Sequence, residues 1–417
     1  MPTKPSTAIL HYTAPPVVGG VEAVIEAHAR AFAAAGYPIA VVAGRGEPSA
    51  LPAEADFIHL PMLDTQHPRV TEASVALVEG RVPPNFEALT DELEETLAPV
   101  LQPFDNVIVH NVYTKHFNLP LTAALHRLID TPAMAHAIAW CHDFSWTSEN
   151  SRPQLSPGYP WDLLRTQRPE ATYVVVSQRR QQALAGLFDC PPEEIHVVYN
   201  GVDPQVLLGL SDAGHGLAIQ LGLLESELNL LMPVRVTQAK NVETALRVVA
   251  ALKARGCQPR LVLTGPPDPH DAESMAYFRE LQALRAELDV EDEMRFVFES
   301  GPDPEEASYI DMPVVGDLFR VSDLVFMPSH REGFGMPVLE AGLAGIPVVC
   351  TPMPAAEEIG GQDVILIEAD DDPDQIAARI LDWAEGSARY RLRRRVRQDY
   401  TWRAIFERDI EPLLFRK

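Results

Sequence analysis

The sequence predicts an α/β protein made of two doubly wound domains that face each other across a central cleft. In both halves of the chain, short apolar runs of strand length alternate with segments of helical periodicity, which indicates βαβ units and parallel sheets. A chain of 417 residues is also longer than one hydrophobic core usually serves, which favours two domains. Ligands of such sheets bind beyond the carboxyl ends of the strands, so we expect the functional residues there.

The first half opens with a βαβ unit. The apolar run Ala8–Tyr12 predicts a strand, and after Gly19 and Gly20 the apolar residues of Val21–Phe32 recur at helical spacing. Ile39–Ala43 is expected to form the next strand. Further strands are predicted over Phe57–Leu60, Val107–Val109, Ala135–Trp140 and Tyr173–Val176.

The second half repeats this pattern. Leu231–Val236 predicts a strand, Val242–Leu252 a helix with one apolar face, and Arg260–Thr264 a second strand. The remaining elements expected in this half are strands at Arg295–Phe298, Leu324–Met327 and Pro347–Cys350, and helices at Ala272–Glu287, Pro337–Leu343, Asp374–Glu385 and Trp402–Leu414. The segment Asp203–Leu230, of mixed character, is expected to hold the hinge. We therefore predict domains over residues 1–204 and 205–399, followed by a final helix in 400–417.

Charge and composition exclude several classes of partner. The formal net charge is −25, which argues against nucleic acid and against anionic lipid as partners, because both are bound by clustered Lys and Arg. The one basic cluster, Arg389–Arg397, is expected to be a solvated helix face. No apolar run approaches the roughly 20 residues of a membrane span, and four cysteines without a CxxC pair predict reduced thiols. The sequence predicts a soluble cytoplasmic protein without stable membrane insertion.

The segment Arg331–Gly342 is the strongest candidate for a binding site. A buried strand is followed by a loop with Glu332 and Gly335, and Glu340 comes about one turn into the next helix. Glycines let backbone amides approach a ligand, and a helix N-terminus favours anions or oxygen-rich groups. The two carboxylates therefore predict acceptors for ligand hydroxyls. The alternative is that Glu332 caps the helix and Glu340 is solvated.

Two cations precede a helix earlier in the second half. Arg235 and Lys240 are separated by a short loop, and a cation pair at a helix N-terminus predicts a diphosphate clamp. Lys240 could equally be a solvated side chain. Arg235, expected inside an apolar strand, needs a partner there.

The first half offers weaker candidates. Gly19 and Gly20 at a helix start could bind phosphate through their amides or form a plain turn. His142, beside Asp143 at a strand end, could be an oriented imidazole, a metal ligand or an ordinary loop histidine. Because no HxxxH or HxH spacing supports a metal, no metal site is predicted.

With these pieces in order, the chain resembles a retaining glycosyltransferase of family 4, which has the GT-B architecture of two Rossmann-like domains. The resemblance covers nearly the whole chain. Its motifs are GGVE (Gly19–Glu22), CHD (Cys141–Asp143), VVSQ (Val175–Gln178), YNGVD (Tyr199–Asp203), RVTQAKN (Arg235–Asn241), LTGP (Leu263–Pro266) and PSHREGFGMPVLEAGLAGIPVV (Pro328–Val349).

The resemblance implies a role for each matching residue in the second half. Glu340 would bind the donor's ribose hydroxyls, and Glu332 would contact the transferred sugar. Arg235 and Lys240 would neutralise the diphosphate. The amides of Phe334, Gly335 and Met336 would hold sugar hydroxyls, and Gly265–Pro266 and Glu299–Gly301 would border the base.

In the first half, the resemblance implies that Gly19 and Gly20 would meet the diphosphate and that His142 would touch the donor sugar. Trp402–Leu414 would return to the first domain. Two departures from the family pattern are Val234, where a glycine is usual, and the lack of a Pro between the clamp residues.

The implied activity is metal-independent and needs no cofactor beyond the nucleotide-diphosphate sugar that serves as donor. A hexosyl unit would pass to a saccharide or other hydroxyl acceptor, and the acceptor loops are expected in Thr114–Asn118 and Ser145–Tyr159, where Trp146, Tyr159 and nearby Trp161 could stack on a sugar or pack internally. The alternatives are a retaining sugar phosphorylase of the same fold, an epimerase, and a non-catalytic nucleotide-sugar binding protein.

Overall fold

A computed structural model describes residues 4–129, 131–268, 270–301 and 309–415. The chain divides into two compact units. Unit 1 contains the described residues up to Gly201 and those from Trp402 onward, whereas unit 2 runs from Val202 to Thr401.

Unit 1 is built on a seven-stranded parallel sheet. Its strands are β1 (Thr7–His11), β2 (Ile39–Ala43), β3 (Ala55–His59), β4 (Asn106–His110), β5 (Ala137–Cys141), β6 (Ala171–Val175) and β7 (Ile195–Val197). Their spatial order is β3-β2-β1-β4-β5-β6-β7. Its helices are α1 (Gly20–Ala34), α2 (Pro68–Val78), α3 (Phe86–Leu101), α4 (Leu119–Leu128) and α5 (Gln178–Phe188).

Unit 2 has a six-stranded parallel sheet. Its strands are β8 (Leu228–Met232), β9 (Pro259–Leu263), β10 (Met294–Phe296), β11 (Leu324–Met327), β12 (Val348–Cys350) and β13 (Ile365–Leu366), in the order β10-β9-β8-β11-β12-β13. Its helices are α6 (Pro204–Leu208), α7 (Asp212–Gln220), α8 (Val242–Ala254), α9 (Ala272–Glu287), α10 (Met312–Val321), α11 (Met336–Ala344), α12 (Pro373–Gly386) and α13 (Ala388–Asp399).

The end of the described chain is helical and belongs to unit 1. Helix α14 (Trp402–Ile405) continues as a wider turn over Phe406–Ile410 and a tighter one over Glu411–Leu414. Phe406 packs edge-on against Phe32 of α1, with ring centroids 5.0 Å apart.

Both sheets reverse their strand order at one point, between β1 and β4 in unit 1 and between β8 and β11 in unit 2. The central strands are buried throughout, as parallel strands are when both faces of the sheet are covered. Each unit is therefore doubly wound and Rossmann-like, which confirms the predicted fold class. The reversal is where such sheets bind ligands.

The bounds predicted for the strand Leu231–Val236 are wrong, because the strand lies earlier in the sequence. The strand is β8, Leu228–Met232, and Pro233 follows it. Proline has no N–H to give to a ladder, and the next amide, that of Val234, bonds back to the Met232 carbonyl at 2.9 Å. The strand therefore ends before Arg235, which lies in a loop.

The basic cluster on α13 is only partly a solvated face, because Arg389, Arg391 and Arg395 are exposed whereas Arg397 is buried. The Arg397 side chain is 8% exposed, and its guanidinium makes two hydrogen bonds, of 3.0 and 2.8 Å, to the Asp323 carboxylate, which is 1% exposed. Arg394 pairs with Glu227 at 2.8 Å. A buried carboxylate requires such a partner, so part of the cluster fixes α13 to the segments that precede β8 and β11.

Within the described ranges, none of the helices is long and apolar enough to cross a membrane. All four cysteines are free; three of them are buried, whereas Cys190 is half-buried.

Candidate functional site

Three loops lie at the carboxyl ends of neighbouring strands in unit 2. They follow β8 (233–241), β9 (264–268) and β11 (328–335), and β8 pairs with both other strands. The loops contain most of the site residues predicted in the second half of the chain.

The loops after β8 and β11 are bonded to each other. The amide of His330 donates to the Ala239 carbonyl at 2.9 Å. The Asn241 side chain, buried at the start of α8, donates to the Pro328 carbonyl at 3.1 Å. Asn241 itself adopts a left-handed conformation with φ 51°, which asparagine tolerates better than most residues. These bonds fix the two loops side by side.

The same contact unites two of the predicted site residues. Lys240 Nζ lies 2.5 Å from Glu332 Oε1, and their side chains are 19% and 10% exposed. The Ser329 hydroxyl donates to the same oxygen at 3.1 Å. Glu332 does not cap α11, because the residue before that helix is Gly335 and no side chain caps it. Neither Lys240 nor Glu332 is a freely solvated side chain.

The start of α11 exposes backbone donors. Gly335 has φ +97°, and a Cβ there would lie 2.6 Å from Met353 Sδ, so only glycine fits without displacement. The amides of Phe334, Gly335 and Met336 make no hydrogen bond to other described residues. They leave a row of donors at a helix N-terminus, which is suited to anionic or hydroxyl ligands.

Glu340 is the fifth residue of α11 and is half-buried. Across the described ranges, its carboxylate has neither an ion-pair nor a hydrogen-bond partner. It remains a candidate acceptor for ligand hydroxyls.

The position of Arg235 is set by the loop after β9. The Gly265 amide donates to the Val234 carbonyl at 3.0 Å, and the Val236 amide to the Pro266 carbonyl at 3.3 Å. A Cβ on Gly265 would lie 2.6 Å from Val234 O and 2.8 Å from Arg235 Cα. Glycine at 265 therefore permits close backbone contact, a positioning role that the sequence alone did not show.

Arg235 itself is exposed, and its side chain has no ion-pair partner among the described residues. It borders a cavity of about 560 Å³. The cavity is lined by Arg235, Val236, Thr237, Gln238, Pro266, Pro267, Asp268, Asp271, Glu273, Ser274, Tyr277 and Tyr309. An exposed guanidinium beside a cavity of this size is available to a ligand, which corrects the expectation that Arg235 is partnered within a strand.

In unit 1, His142 directly follows β5 and is 8% exposed. Its Nε2 lies 3.0 Å from His110 Nδ1, and its backbone amide donates to Asn111 Oδ1 at 2.8 Å. Asp143 does not orient this imidazole; it pairs with Arg180 at 2.6 Å. His110, the last residue of β4, is therefore the hydrogen-bond partner of the His142 ring.

Four buried histidines gather at this edge of the sheet. The rings of His110 and His28 are tilted by 54° with centroids 5.2 Å apart, and His11 Nδ1 bonds to the His110 carbonyl at 2.8 Å. Burial lowers the pKa of His28 to about 3 and that of His142 to about 4, and it lowers the pKa of His110 as well. The cluster is thus neutral at pH 7. Sequence periodicity could not reveal it, although His110 directly follows the predicted strand Val107–Val109 and His11 is the penultimate residue of the predicted strand Ala8–Tyr12.

The Glu22 carboxylate lies at the N-terminus of α1. Glu22, 13% exposed, accepts a hydrogen bond from Thr13 and lies 4.0 Å from His11 Nε2. Its carboxylate folds back over Gly19, where a Cβ would meet the Glu22 carboxyl oxygen. Gly20 is exposed, with open space around its Cβ position. Glu22 is a residue of this edge that sequence reasoning missed.

The aromatic residues of the predicted acceptor loops differ in availability. Trp146 is 9% exposed and donates its indole N–H to the Trp161 carbonyl at 3.0 Å. The guanidinium groups of Arg152 and Arg165 lie 4.4 and 4.3 Å from its ring centroid. Trp161 is 3% exposed and Tyr159 is 48% exposed. Trp146 is therefore a packing residue.

In the part of the chain that the structure describes, no group of three or more His, Cys, Asp or Glu side chains could hold a metal ion.

Two family models match the chain. Residues 18–206 match the model described as Glycosyltransferase Family 4, and residues 219–399 match the one described as Glycosyl transferases group 1. One model thus covers most of unit 1 and the other most of unit 2.

Curated relatives align over part of their length. The D-inositol 3-phosphate glycosyltransferase of Saccharomonospora viridis is 29% identical over 232 residues, 54% of this chain and 48% of the relative. The protein of the same name from Actinosynnema mirum is 30% identical over 242 residues, 55% and 53% of the two chains. The chain thus spans about half the length of the curated relatives that it matches.

Among solved structures, a glycosyltransferase from Rickettsia africae ESF-5 is 17% identical, with 98% of both chains covered and a TM-score of 0.37.

Proposed function

The chain belongs to glycosyltransferase family 4, the glycosyl transferases group 1, and on that premise we propose that it is a retaining glycosyltransferase that moves a hexosyl unit from a nucleotide-diphosphate sugar to a hydroxyl acceptor. The observation that carries this proposal is the side-by-side placement of Arg235, the Lys240–Glu332 pair and the unbonded amides at the start of α11.

Unit 2 supplies the donor-binding groups. Lys240 has three N–H donors, so it can hold Glu332 and still donate to a phosphate oxygen. Arg235 supplies the second cation, and Glu340 accepts the ribose hydroxyls. The cavity beside Arg235 takes the base, since it is bounded by Pro266 and Pro267.

The reaction breaks the bond between the anomeric carbon and the diphosphate oxygen and forms one to the acceptor oxygen. Positive charge develops on the sugar and negative charge on the leaving diphosphate. Fixed cations and amides aimed at that oxygen stabilise the transition state, and each such donor contributes about 3 kcal/mol. Arg235 and Lys240 supply this charge, so the reaction requires no metal ion.

Retention of configuration proceeds by attack on the face that the diphosphate leaves, and the departing phosphate accepts the acceptor's proton. The alternative, a covalent sugar on Glu332, is less favoured because one oxygen of that carboxylate already accepts bonds from Lys240 and Ser329. Mass-spectrometric trapping of a sugar on Glu332 would overturn this assignment.

His142 and Gly20 are the proposed contributions of unit 1 to donor binding, with His142 touching the sugar as a neutral imidazole. The neutral form follows from burial, which lowers the pKa of His142 to about 4. Neutral imidazole can donate a hydrogen bond to a sugar hydroxyl from one ring nitrogen.

The test is a thermal-shift panel of UDP-, GDP- and ADP-sugars, followed by detection of nucleoside diphosphate release. A donor present at about 100 times its dissociation constant stabilises the protein by near 2.7 kcal/mol. Absence of both a shift and nucleotide release with every donor would contradict the proposal. Release of nucleoside diphosphate separates a transferase from a phosphorylase, which uses inorganic phosphate.

A further inference from the structure

A second cavity, of about 340 Å³, lies within unit 1. It is lined by Thr65, Thr71, Ser74, Leu77, Val78, His116, Phe117, Leu119, Gln154 and Trp161. Its volume is in the range of small-molecule sites. We propose that this cavity binds the acceptor, and that the acceptor is an uncharged glycoside carrying an apolar aglycone. This inference rests on the proposed transferase function.

The cavity is connected to the segment that holds His142. His116, in its wall, bonds through its backbone amide and its Nδ1 to the Ser145 hydroxyl, at 3.1 and 2.8 Å. Ser145 follows His142 by three residues, which span at most about 11 Å. The amide of Ser145 also bonds to the Thr114 carbonyl at 2.9 Å. An acceptor in the cavity would thus lie close to the proposed sugar-contacting histidine.

One face of α2 also lines the cavity. Thr71, Ser74 and Val78 are spaced by three and four residues and therefore share that face. Val78 is 47% exposed. Phe117, which is 44% exposed, adds an aromatic surface from the segment after β4. The wall offers hydroxyls for sugar hydroxyls and apolar surface for an aglycone.

The lining contains no Arg, Lys, Asp or Glu among the described residues. An anionic acceptor would leave water here without gaining a charged partner from the lining, which is costly. Lys115, whose Nζ lies 4.8 Å from the centroid of the Phe117 ring, is not part of that lining. A neutral sugar loses only hydrogen bonds that the threonine and serine hydroxyls can replace. The absence of charge therefore favours a neutral acceptor over a phosphorylated one.

His116 is the titratable side chain in the described lining, and its contacts fit a neutral imidazole. Gln154 donates its amide N–H to the Asn150 carbonyl, so its oxygen faces His116 Nε2 at 3.2 Å. Nε2 therefore carries the ring proton, and Nδ1 accepts from the Ser145 hydroxyl. Burial also lowers the pKa of His116. The neutral imidazole supplies no positive charge for a phosphate.

The acceptor test compares phenyl β-glucoside, glucose and glucose 6-phosphate, with the donor identified by the thermal-shift panel. We expect phenyl β-glucoside to be glycosylated with a kcat/KM at least tenfold above that of the other two. Saturation-transfer NMR without donor should show binding of its phenyl ring. Preference for glucose 6-phosphate, or no binding of the phenyl glucoside, would overturn the proposal.

Matched variants locate the site on α2. Ser74→Trp should fill the cavity and lower transfer to phenyl β-glucoside at least tenfold, whereas Val75→Trp, at an exposed neighbour outside the lining, should not. Val78→Glu should also lower transfer to phenyl β-glucoside, because it places a charge in the lining without filling the cavity. Equal transfer by Ser74→Trp and Val75→Trp would also overturn the proposal.

Donor binding provides the independent readout. The donor-induced thermal shift and donor hydrolysis should be unchanged in all three variants, which shows that each is folded. If the unmutated protein shows neither a donor-induced thermal shift nor donor hydrolysis, the proposed transferase function is refuted. Saturation-transfer NMR would then still test whether the cavity binds the phenyl glucoside.

Discussion

At the scale of single residues, the two cations of the proposed clamp differ in their surroundings. Lys240 is paired with Glu332, whereas Arg235 is exposed beside the larger cavity. Replacing either by alanine removes charge stabilisation of the leaving diphosphate. We expect Arg235→Ala and Lys240→Ala to lower turnover at least about 100-fold, with folding retained.

The control for this prediction is Arg247→Ala, at an exposed position on α8, which should keep the unmutated rate. Steady-state kinetics and far-UV circular dichroism report on rate and fold. Rates near the unmutated value in both clamp variants would refute the assignment.

His110 has a separate, testable effect on His142. The 3.0 Å bond between their rings fixes the orientation of His142 and decides which of its nitrogens carries the proton. An asparagine at position 110 places a polar atom where His110 has Nδ1. A leucine there has the shape of asparagine but lacks the polar atom. We expect His110→Leu to lower kcat about tenfold, the equivalent of one hydrogen bond, and His110→Asn to stay within a few-fold.

Nitrogen-15 NMR of the His142 ring should show a single tautomer in the unmutated protein and in His110→Asn, and a mixture in His110→Leu. Equal kcat values for the two variants would show that the ring bond has no positioning role.

At the scale of elements, sequence patterns predicted several buried strands closely, misplaced β8, and missed the short edge strands β7 and β13. β1, β2 and β11 appear within one residue of the predicted bounds, because continuous apolar runs mark strands buried on both faces. β7 and β13 were not predicted, since three and two residues are too few for a pattern.

The candidate site was predictable where a motif and its chemistry coincide, as for Glu332 and Lys240. It was not predictable where the contact joins distant segments. Pro233 ends β8 early and places Arg235 in a loop, and the close approach of Gly265 to that loop depends on the pairing of β8 with β9. The contact by which His110 sets the tautomer of His142 likewise depends on the pairing of adjacent strands.

The loop after β9 yields a prediction at this scale. Gly265→Ala adds a Cβ that would clash with the backbone of Val234 and Arg235, so the loop must move. We expect a weaker donor-induced thermal shift and a raised KM for the donor. Gly216→Ala, inside α7 with open space at its Cβ, is the matched control and should stabilise unit 2 by about 0.5–1 kcal/mol. Unchanged donor KM in Gly265→Ala would contradict the positioning role.

At the scale of the whole molecule, the buried histidines make stability depend on pH. Burial lowers the pKa of His28 to about 3 from its ordinary 6.5, and His110, His142, Trp140 and Trp402 surround it. The folded state keeps His28 neutral while the unfolded state takes up a proton below pH 6.5. Its contribution to stability is therefore complete above pH 6.5 and is lost as pH falls towards 3.

We expect the free energy of unfolding to decrease by up to about 1.4 kcal/mol per pH unit for His28 between pH 6 and 4. His28→Phe, which keeps an aromatic ring and removes the titration of His28, should reduce the slope of unfolding free energy against pH in a urea-denaturation series. His110 and His142 keep part of that slope, because their pKa values are lowered as well. An identical slope in the variant would contradict the assignment. Because both ring nitrogens of His28 lack a hydrogen-bond partner, phenylalanine loses no bond there.

The division of the chain into units has a consequence for protein synthesis. Unit 2 is one continuous stretch inserted into unit 1, and its ends lie together, with the Val202 amide bonded to the Tyr400 carbonyl at 2.8 Å. The core of unit 1 needs Phe406 against Phe32 and Trp402 against His28. During synthesis the segment of unit 1 that precedes unit 2 is made before the segment that completes its core. The inserted unit 2 can therefore complete its own core before unit 1 does.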